Sequence, residues 1–209
     1  MFISSLTIEI TRRCNLSCRH CLRGNSQDID IDPMYIGILF QKISGVYSLS
    51  ITGGEPILNI SAIRDIVSFA KLYNVEINNF YISSNCIFDS DITFNNFIAA
   101  IIELYNYCKE NVYSQLHYSN DKFHTRKPNQ KYLDKLMDIP FFYNDTSLAS
   151  EDLINMGRYR DGLVQENEKD IIIEKNSIRG NIYFNALGQV INGVNWSYSE
   201  QSKHIINVI

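Results

Sequence analysis

The segment TRRCNLSCRHC, residues 11–21, directly follows a stretch, residues 6–10, in which apolar and polar side chains alternate. An alternation with a period of two predicts a β-strand, so the segment begins where a strand ends. It places Cys14, Cys18 and Cys21 in the spacing Cys-x3-Cys-x2-Cys. Thiolates are soft ligands that suit both zinc and iron–sulfur clusters, and three cysteines this close together indicate a metal site.

Zinc and an iron–sulfur cluster make different demands on the rest of the chain. A structural zinc site normally has four protein ligands, and here the fourth would have to be His20 or one of the distant Cys86 and Cys108. A cubane cluster can instead take three corners from the three close cysteines and leave one iron open to a small ligand. The spacing favours the cluster and leaves zinc as the alternative.

A second motif, TGGEP at residues 52–56, follows a second predicted strand. We expect Gly53 and Gly54 to let a ligand approach the backbone closely, and Glu55 to accept a hydrogen bond from an ammonium group. An ordinary turn from strand to helix, with Pro56 at the helix start, explains the same residues without a ligand.

Strands and helices alternate through the first 120 residues, which implies βαβ units and a parallel sheet with right-handed crossovers. The pattern then weakens, and a hairpin turning near Gly188 is the clearest remaining feature. Asn59 stands where the second helix should begin and is a candidate N-cap. The predicted strands are 6–11, 47–51, 80–82, 112–118, 141–143 and the arms of the hairpin within 182–191, and the predicted helices are 33–43, 60–70, 98–105, 129–137 and 150–159.

The chain has 209 residues, with 19 Lys and Arg against 23 Asp and Glu, hence a net charge of −4. This length suits one domain, and a mildly acidic chain is not expected to bind nucleic acid in general.

No apolar run approaches the roughly 20 residues of a membrane helix, and the N-terminus lacks the pattern of a signal peptide. We therefore expect a cytoplasmic protein without a membrane partner, whose clustered cysteines bind metal.

In this order, each at the carboxyl end of a predicted strand, the two motifs resemble the radical SAM superfamily. The resemblance implies an α/β fold, a partial (β/α)6 TIM-like barrel with parallel strands. Residues 1–165 would form its core, and residues 166–209 would supply the last strand or strands and a C-terminal hairpin or tail, in the same domain. With only Cys86 and Cys108 left over, a domain that carries a second all-cysteine cluster is excluded.

The resemblance also implies the cofactors. The three cysteines of the first motif would hold a [4Fe-4S] cluster, whose fourth iron binds the amine and carboxylate of S-adenosyl-L-methionine (SAM). Gly53, Gly54 and Glu55 match the stretch that receives the amine, and His20 would lie close to the adenine. An electron from the reduced cluster would cleave SAM to methionine and a 5′-deoxyadenosyl radical, which abstracts a hydrogen atom from the substrate.

Weaker matches extend the resemblance to further SAM contacts. The third strand ends in Asn85-Cys86 where the family often has Asn-Gly, so Asn85 would face the cofactor or would only shape a turn. Ser119 and Asp121 match a Ser-x-Asp pattern that faces the SAM ribose. Arg158 would lie near the SAM carboxylate or on a solvated helix face.

The expected function is activation of a C–H bond. A peptide or protein substrate is favoured because the tail resembles the hairpin region of peptide-modifying relatives. Alternatives within the superfamily are an anaerobic activase that installs a glycyl radical in a partner enzyme, and a reaction on a small molecule or nucleotide. The alternative outside enzymes is a protein that uses zinc for structure or for partner binding.

The expected partner is an electron donor such as flavodoxin or ferredoxin. Arg12, Arg13, Arg19 and Arg23 surround the cysteine segment and would offset cluster charge or receive a reductase. Further along the chain, His124 could meet the substrate or cap the next helix.

Overall fold

The computed structural model describes residues 1–119, 121–124, 126–145, 153–159 and 171–207 of the chain. Within these ranges, eight strands form one sheet and four α-helices accompany it. The strands are β1 (Phe2–Thr11), β2 (Gly45–Gly53), β3 (Glu76–Ser84), β4 (Gln115–Ser119), β5 (Phe142–Asp145), β6 (Ile172–Ile173), β7 (Ser177–Phe184) and β8 (Val190–Asn192), and the helices are α1 (Pro33–Lys42), α2 (Ile60–Tyr73), α3 (Asp91–Tyr107) and α4 (Gln130–Met137).

The sheet is mostly parallel, and its described strands do not close into a full barrel. The strand order is β5-β4-β3-β2-β1-β7-β6, and β8 pairs with β7. Strands β1 to β5 run parallel to their neighbours and β7 runs parallel to β1, whereas β6 and β8 are antiparallel to β7. The predicted α/β fold with a partial, parallel barrel is confirmed, and its sixth parallel strand lies beside β1, not beyond β5.

Local sequence explains where the helices begin and end. Asp32 caps α1 by accepting a hydrogen bond at 2.8 Å from the main-chain N–H two residues on, and Pro33 occupies the first turn. Ser90 caps α3 in the same way, at 3.1 Å from the N–H three residues on. Asn74, with a φ of 54°, ends α2 in the left-handed region. None of the helices in the described ranges has the length and apolar composition needed to cross a membrane.

Two local expectations are wrong. Asn59 does not cap α2 through its side chain, because its amide donates to the carbonyl oxygen of Ile10 at 2.7 Å and ties the end of β1 to the start of the helix. The fourth strand was expected from residue 112, but residues 111–113 form a short 3₁₀ helix and β4 begins at Gln115.

The helix expected over residues 150–159 is not formed in its described part. None of residues 153–159 is helical, residues 157–158 form a turn, and the main-chain N–H of Arg158 donates to the carbonyl oxygen of Cys21 at 3.0 Å. The rest of that expected helix lies outside the described residues. So does the division at residue 165, which stays a prediction.

One face of the sheet is apolar and the opposite face is largely polar. Leu6, Ile8 and Ile10 of β1 are fully buried and belong to one core cluster together with the helix residues. The other face carries polar side chains, many of them short, with Thr7 of β1 in register with Ser50 of β2. Because the strands are parallel, their carboxyl ends meet at one edge of the sheet, and the polar face continues to that edge. Active sites of (β/α) barrels lie at the carboxyl ends of the strands.

Candidate functional site

A cavity of about 380 Å³ lies at the carboxyl ends of β1 to β4. The segment after β1 and the segment after β2 contribute most of its wall. Cys14, Cys18 and Cys21 all line the cavity, and all three are free thiols. Asp121 is not among the residues that line it. The other candidate residues that line it are His20, Gly53, Gly54, Glu55, Asn85, Ser119 and Arg158.

The cysteine side chains sit in a partly apolar setting. Cys18 packs with Leu16 and Ile87, and Cys14 lies against the same group. Burial raises the pKa of Cys14 to about 11 and also raises the pKa of Cys18. In the metal-free chain these two thiols are therefore protonated at neutral pH, and a metal must displace their protons. Three free thiols around one cavity are a donor set that fits a soft metal ion or an iron–sulfur cluster.

The two remaining cysteines lie away from the cavity. Cys86 and Cys108 are both buried in the main core, so of the three expected fourth zinc ligands only His20 reaches the cavity. Cys86 has a φ of 55°, in the left-handed region that glycine adopts most readily. Cys86 therefore holds a backbone conformation that glycine would adopt more readily.

Gly53 and Gly54 are required for a reason that the sequence did not reveal. A Cβ at Gly53 would lie 2.3 Å from the carbonyl oxygen of Thr11, and a Cβ at Gly54 would lie 2.2 Å from that of Arg13. The main-chain N–H groups of Gly54 and Glu55 donate to these same oxygens, each at 2.8 Å. The close approach is therefore made by the protein's own backbone, which fastens the cysteine segment to the end of β2.

Glu55 places a buried carboxylate at the cavity. Its Oε1 accepts hydrogen bonds from Ser84 Oγ at 2.7 Å and from the N–H of Ile57 at 3.3 Å, and its Oε2 accepts from the N–H of Asn85 at 2.9 Å. Burial raises the pKa of Glu55 to about 7, although these hydrogen bonds act in the opposite direction. A carboxylate that is this strongly desolvated is suited to binding a cationic group such as an amine.

Asn85 and Ser119 bring polar groups from β3 and β4 to the cavity. The amide nitrogen of Asn85 donates to Asn15 Oδ1 at 2.8 Å, and its amide oxygen accepts from the N–H of Ile87 at 2.9 Å. The hydroxyl oxygens of Ser119 and Ser83 lie 2.6 Å apart. Asn85 therefore shapes the turn, which is one of the two roles that the sequence left open, and its amide also holds the cysteine segment. A contact between Asn85 and the cofactor stays a prediction.

Arg158 reaches the cavity from a distant part of the chain. Besides its main-chain hydrogen bond to Cys21, its guanidinium Nη1 donates to Ser17 Oγ at 2.8 Å. Gly157 permits this approach with a φ of 62°, since a Cβ there would lie 2.3 Å from the Cys21 carbonyl oxygen. The structure therefore places Arg158 in a turn against the cysteine segment and not on a helix face.

Asp121 turns toward two histidines. Its Oδ2 lies 2.9 Å from Nδ1 of His124 and 3.5 Å from Nε2 of His20. Both histidines line the cavity, and burial lowers the pKa of His20. The Ser-x-Asp pattern located this carboxylate but carried no information on its direction.

A buried polar network beneath the cysteine segment escaped the sequence reasoning. Glu9 is fully buried, pairs with Arg12 at 2.7 Å, and accepts from the Tyr183 hydroxyl at 2.5 Å and from Gln201 Nε2 at 3.0 Å. Arg12 is only 4% exposed, so this arginine is not available to a reductase, contrary to one of the expectations. The available signal was a glutamate in the strand, three positions before an arginine.

Curated proteins match the chain only over short stretches, and no protein-family profile matches it. An uncharacterized protein of Methanocaldococcus jannaschii is 34% identical over 70 residues, YfkA of Bacillus subtilis is 31% identical over 71, and a protein described as a probable GTP 3′,8-cyclase of M. jannaschii is 41% identical over 61. These stretches cover 32%, 32% and 27% of this chain, and 24%, 19% and 20% of the relatives. The matches thus span about a fifth to a quarter of each relative's length.

Solved structures show a weak likeness. One is anSMEcpe with bound AdoMet and a Kp18Cys peptide, with 12% identity, a TM-score of 0.36, and coverage of 72% of this chain and 53% of that chain. Another is SuiB of Streptococcus suis bound to the precursor peptide SuiA, with 16% identity, a TM-score of 0.36, and coverage of 69% and 49%. Likeness at this level carries no argument about function, so the functional proposal rests on the chain's own residues.

Proposed function

We propose that this chain carries the core of a radical SAM enzyme, in which the cavity at the carboxyl ends of β1 to β4 receives a [4Fe-4S] cluster and SAM. The observation that carries the proposal is the presence of Cys14, Cys18, Cys21 and Glu55 around one cavity. Three thiolates can leave one metal position open, and a buried carboxylate beside that position suits the amine of an amino-acid-like cofactor.

The chain's own residues would have distinct roles toward SAM. Glu55 would accept a hydrogen bond from the amine, and the positive charge would offset the desolvation that raises the Glu55 pKa to about 7. Arg158 would pair with the SAM carboxylate, and His20 would lie near the adenine. Asn85 and Ser119 would add polar contacts from the ends of β3 and β4.

When bound, the reduced cluster would supply one electron for the reductive cleavage of SAM, and this chemistry would activate a C–H bond of the substrate. The protein orients SAM and excludes water. The backbone hydrogen bonds from Gly54 and Glu55 hold the cysteine segment in place for that task.

For the electron donor, such as flavodoxin or ferredoxin, the exposed Arg19 offers a positive contact on the same segment.

A peptide or protein is the proposed substrate. Among the described residues the sheet does not close beyond β5, which suits a substrate too large to be enclosed. The tail hairpin that suggested this substrate class is part of the main sheet, since β7 pairs with β1. A nucleotide is the second candidate, supported by the local match to a protein described as a probable GTP 3′,8-cyclase.

The test is anaerobic reconstitution of the full chain with iron and sulfide, followed by dithionite and SAM, with 5′-deoxyadenosine measured by chromatography. We expect product above a no-protein control for the wild type and for the matched control Cys86→Ala, and none for Cys18→Ala. A wild-type protein that binds zinc and no cluster would overturn the proposal. Full product formation by Cys18→Ala would overturn the assignment of the ligands.

A further inference from the structure

Two imidazoles and a carboxylate converge beside the cavity from two separate segments. His20 comes from the cysteine segment, and Asp121 and His124 come from the turn after β4. The closest ligand atoms are those of Asp121 and His124 at 2.9 Å, and the three ligand atoms all lie within 4.8 Å of one another. The three side chains are 15%, 6% and 12% exposed in chain order, so water has little access to them.

Local packing fixes this group. Oδ1 of Asp121 accepts a hydrogen bond from the N–H of Phe123 at 2.7 Å, which leaves Oδ2 directed at the histidines. The Phe123 ring packs against the His20 ring with centroids 4.9 Å apart. The rings of His20 and His124 meet edge to face at 5.3 Å. The group is therefore arranged before any ligand binds.

Hydrogen bonding does not account for the contact between Asp121 and His124. Nδ1 of His124 is buried and lies 2.9 Å from Oδ2, within ion-pair distance, yet it makes no hydrogen bond to any described residue. A buried polar atom left without a partner costs about 1–3 kcal/mol. Two atoms that ligate one metal ion lie about 3 Å apart, with bonds of about 2.0–2.2 Å and lone pairs that converge on the ion and not on each other.

We infer that His20, Asp121 and His124 bind a divalent first-row transition-metal ion, separate from the group held by the cysteines. Two imidazoles and one carboxylate on one side of an ion suit Fe²⁺ or Zn²⁺ and leave coordination positions open. Because His20 and His124 line the cavity, the open positions face it, where an oxygen atom of the substrate would bind. The positive charge of Arg158 lies near His20 and disfavours a metal cation there. The negative charge of the Asp121 carboxylate acts in the opposite direction and favours the cation.

This inference reassigns two residues of the SAM site but does not require the proposed function. Asp121 becomes a metal ligand in place of a contact to the SAM ribose. His20 becomes a ligand through Nε2 in place of a contact to the adenine. The Phe123 ring already packs against the His20 ring. The metal site would exist whether or not the cysteines carry a cluster.

The first test measures zinc in the full chain after cluster reconstitution, equilibration with excess Zn²⁺ and passage over a chelating resin. We expect stoichiometric zinc beside iron in the wild type, loss of zinc with unchanged iron in His124→Ala, and unchanged zinc in His117→Ala, which removes a β4 histidine outside the group. Asp121→Asn keeps the side-chain volume and is expected to lose zinc as well. Equal zinc in the wild type, His124→Ala and Asp121→Asn would overturn the inference.

X-ray absorption at the zinc edge identifies the ligands directly. We expect a shell of nitrogen and oxygen at about 2.0–2.2 Å and no sulfur at about 2.3 Å. A sulfur shell alone would overturn the metal site and would point to zinc on the cysteines. Zinc bound by nitrogen and oxygen in a protein that takes up no cluster would overturn the proposed function and leave the metal site standing.

Discussion

The carboxylate of Glu55 accepts a hydrogen bond from the main-chain N–H of Asn85 at 2.9 Å, which joins the ends of β2 and β3 at one buried anion. The same carboxylate lines the cavity, so its protonation is coupled both to the fold and to whatever occupies the site. Because of this coupling, the protonation of Glu55 can be followed by measuring the stability of the protein without any cofactor.

The first prediction concerns the pH dependence of stability. The pKa of Glu55 is raised from 4.5 to about 7 by burial, so between these values the folded chain binds a proton that the unfolded chain has released. The free energy of unfolding of the metal-free wild type should therefore fall, by about 3 kcal/mol, as the pH rises from about 4.5 through 7. Glu55→Gln should lack this fall, as measured by urea unfolding across the range.

The control for this experiment is Glu103→Gln, which changes an exposed glutamate on α3 paired with Lys71. Its curve of stability against pH should run parallel to that of the wild type. A Glu55→Gln curve that is also parallel to the wild type would show that the Glu55 carboxyl is not the group that titrates.

The second prediction concerns thiol reactivity. Because burial raises the pKa of Cys14 to about 11, alkylation of this thiol by iodoacetamide in the metal-free chain should be slow at pH 7 and should rise about tenfold per pH unit up to that value. Mass spectrometry of Cys14-containing peptides gives the rate. The same chain in denaturant is the reference, and equal rates at pH 7 in both states would contradict the burial of this thiol.

The third prediction concerns the backbone contact at Gly54. Gly54→Ala places a Cβ 2.2 Å from the Arg13 carbonyl oxygen, so the cysteine segment must move. We expect a loss of stability of about 1–3 kcal/mol or more, together with reduced iron uptake on reconstitution. In Gly37→Ala of α1 the atoms nearest to the added carbon belong to the Phe69 ring, at 3.1 Å and beyond, and this variant should load iron normally.

The fourth prediction concerns the ion pair beneath the cysteine segment. Arg12→Met removes the cation beside the fully buried Glu9 and should lower the free energy of unfolding by about 3–5 kcal/mol. Arg13→Met removes a bidentate pair with Asp30, whose side chains are 35% and 39% exposed, and a hydrogen bond to the Leu58 carbonyl oxygen. It should cost less, about 1–2 kcal/mol. Urea unfolding of both variants distinguishes the two sites, and similar losses would contradict the burial of the Glu9–Arg12 pair.

Sequence periodicity predicted most strands and helices because each depends on a local repeat of apolar residues, with a period of two in strands and about 3.6 in helices. It also predicted that the cysteine segment and Glu55 lie at one edge of the sheet, since the carboxyl ends of parallel strands meet on the same side. The position of β7 beside β1 was not predictable in this way. Ile182 opposite Leu6 is a pairing between apolar residues, and many other apolar residues would have satisfied the same pattern.

The side-chain directions at the site were also beyond sequence reasoning. The direction of Asp121 is set by the N–H of Phe123, and the need for glycine at position 54 is set by the Arg13 carbonyl oxygen. Both are contacts at the scale of single atoms that residue types and spacing do not encode. Glu9 was overlooked because a glutamate in an alternating strand usually marks the solvated face.

The pairing of β1 with β7 also has a consequence for biosynthesis. Arg12 and Gln201 are hydrogen-bonded across 189 residues, so the support beneath the cysteine segment leaves the ribosome long after the segment itself. At about 5–20 residues per second, the three thiols precede that support by on the order of 10–40 s. During that interval the three thiols are attached to a sheet that is not yet complete, and soft metal ions can bind them in a non-native arrangement. This topology therefore favours metal delivery after the segment that carries Gln201 has been synthesised.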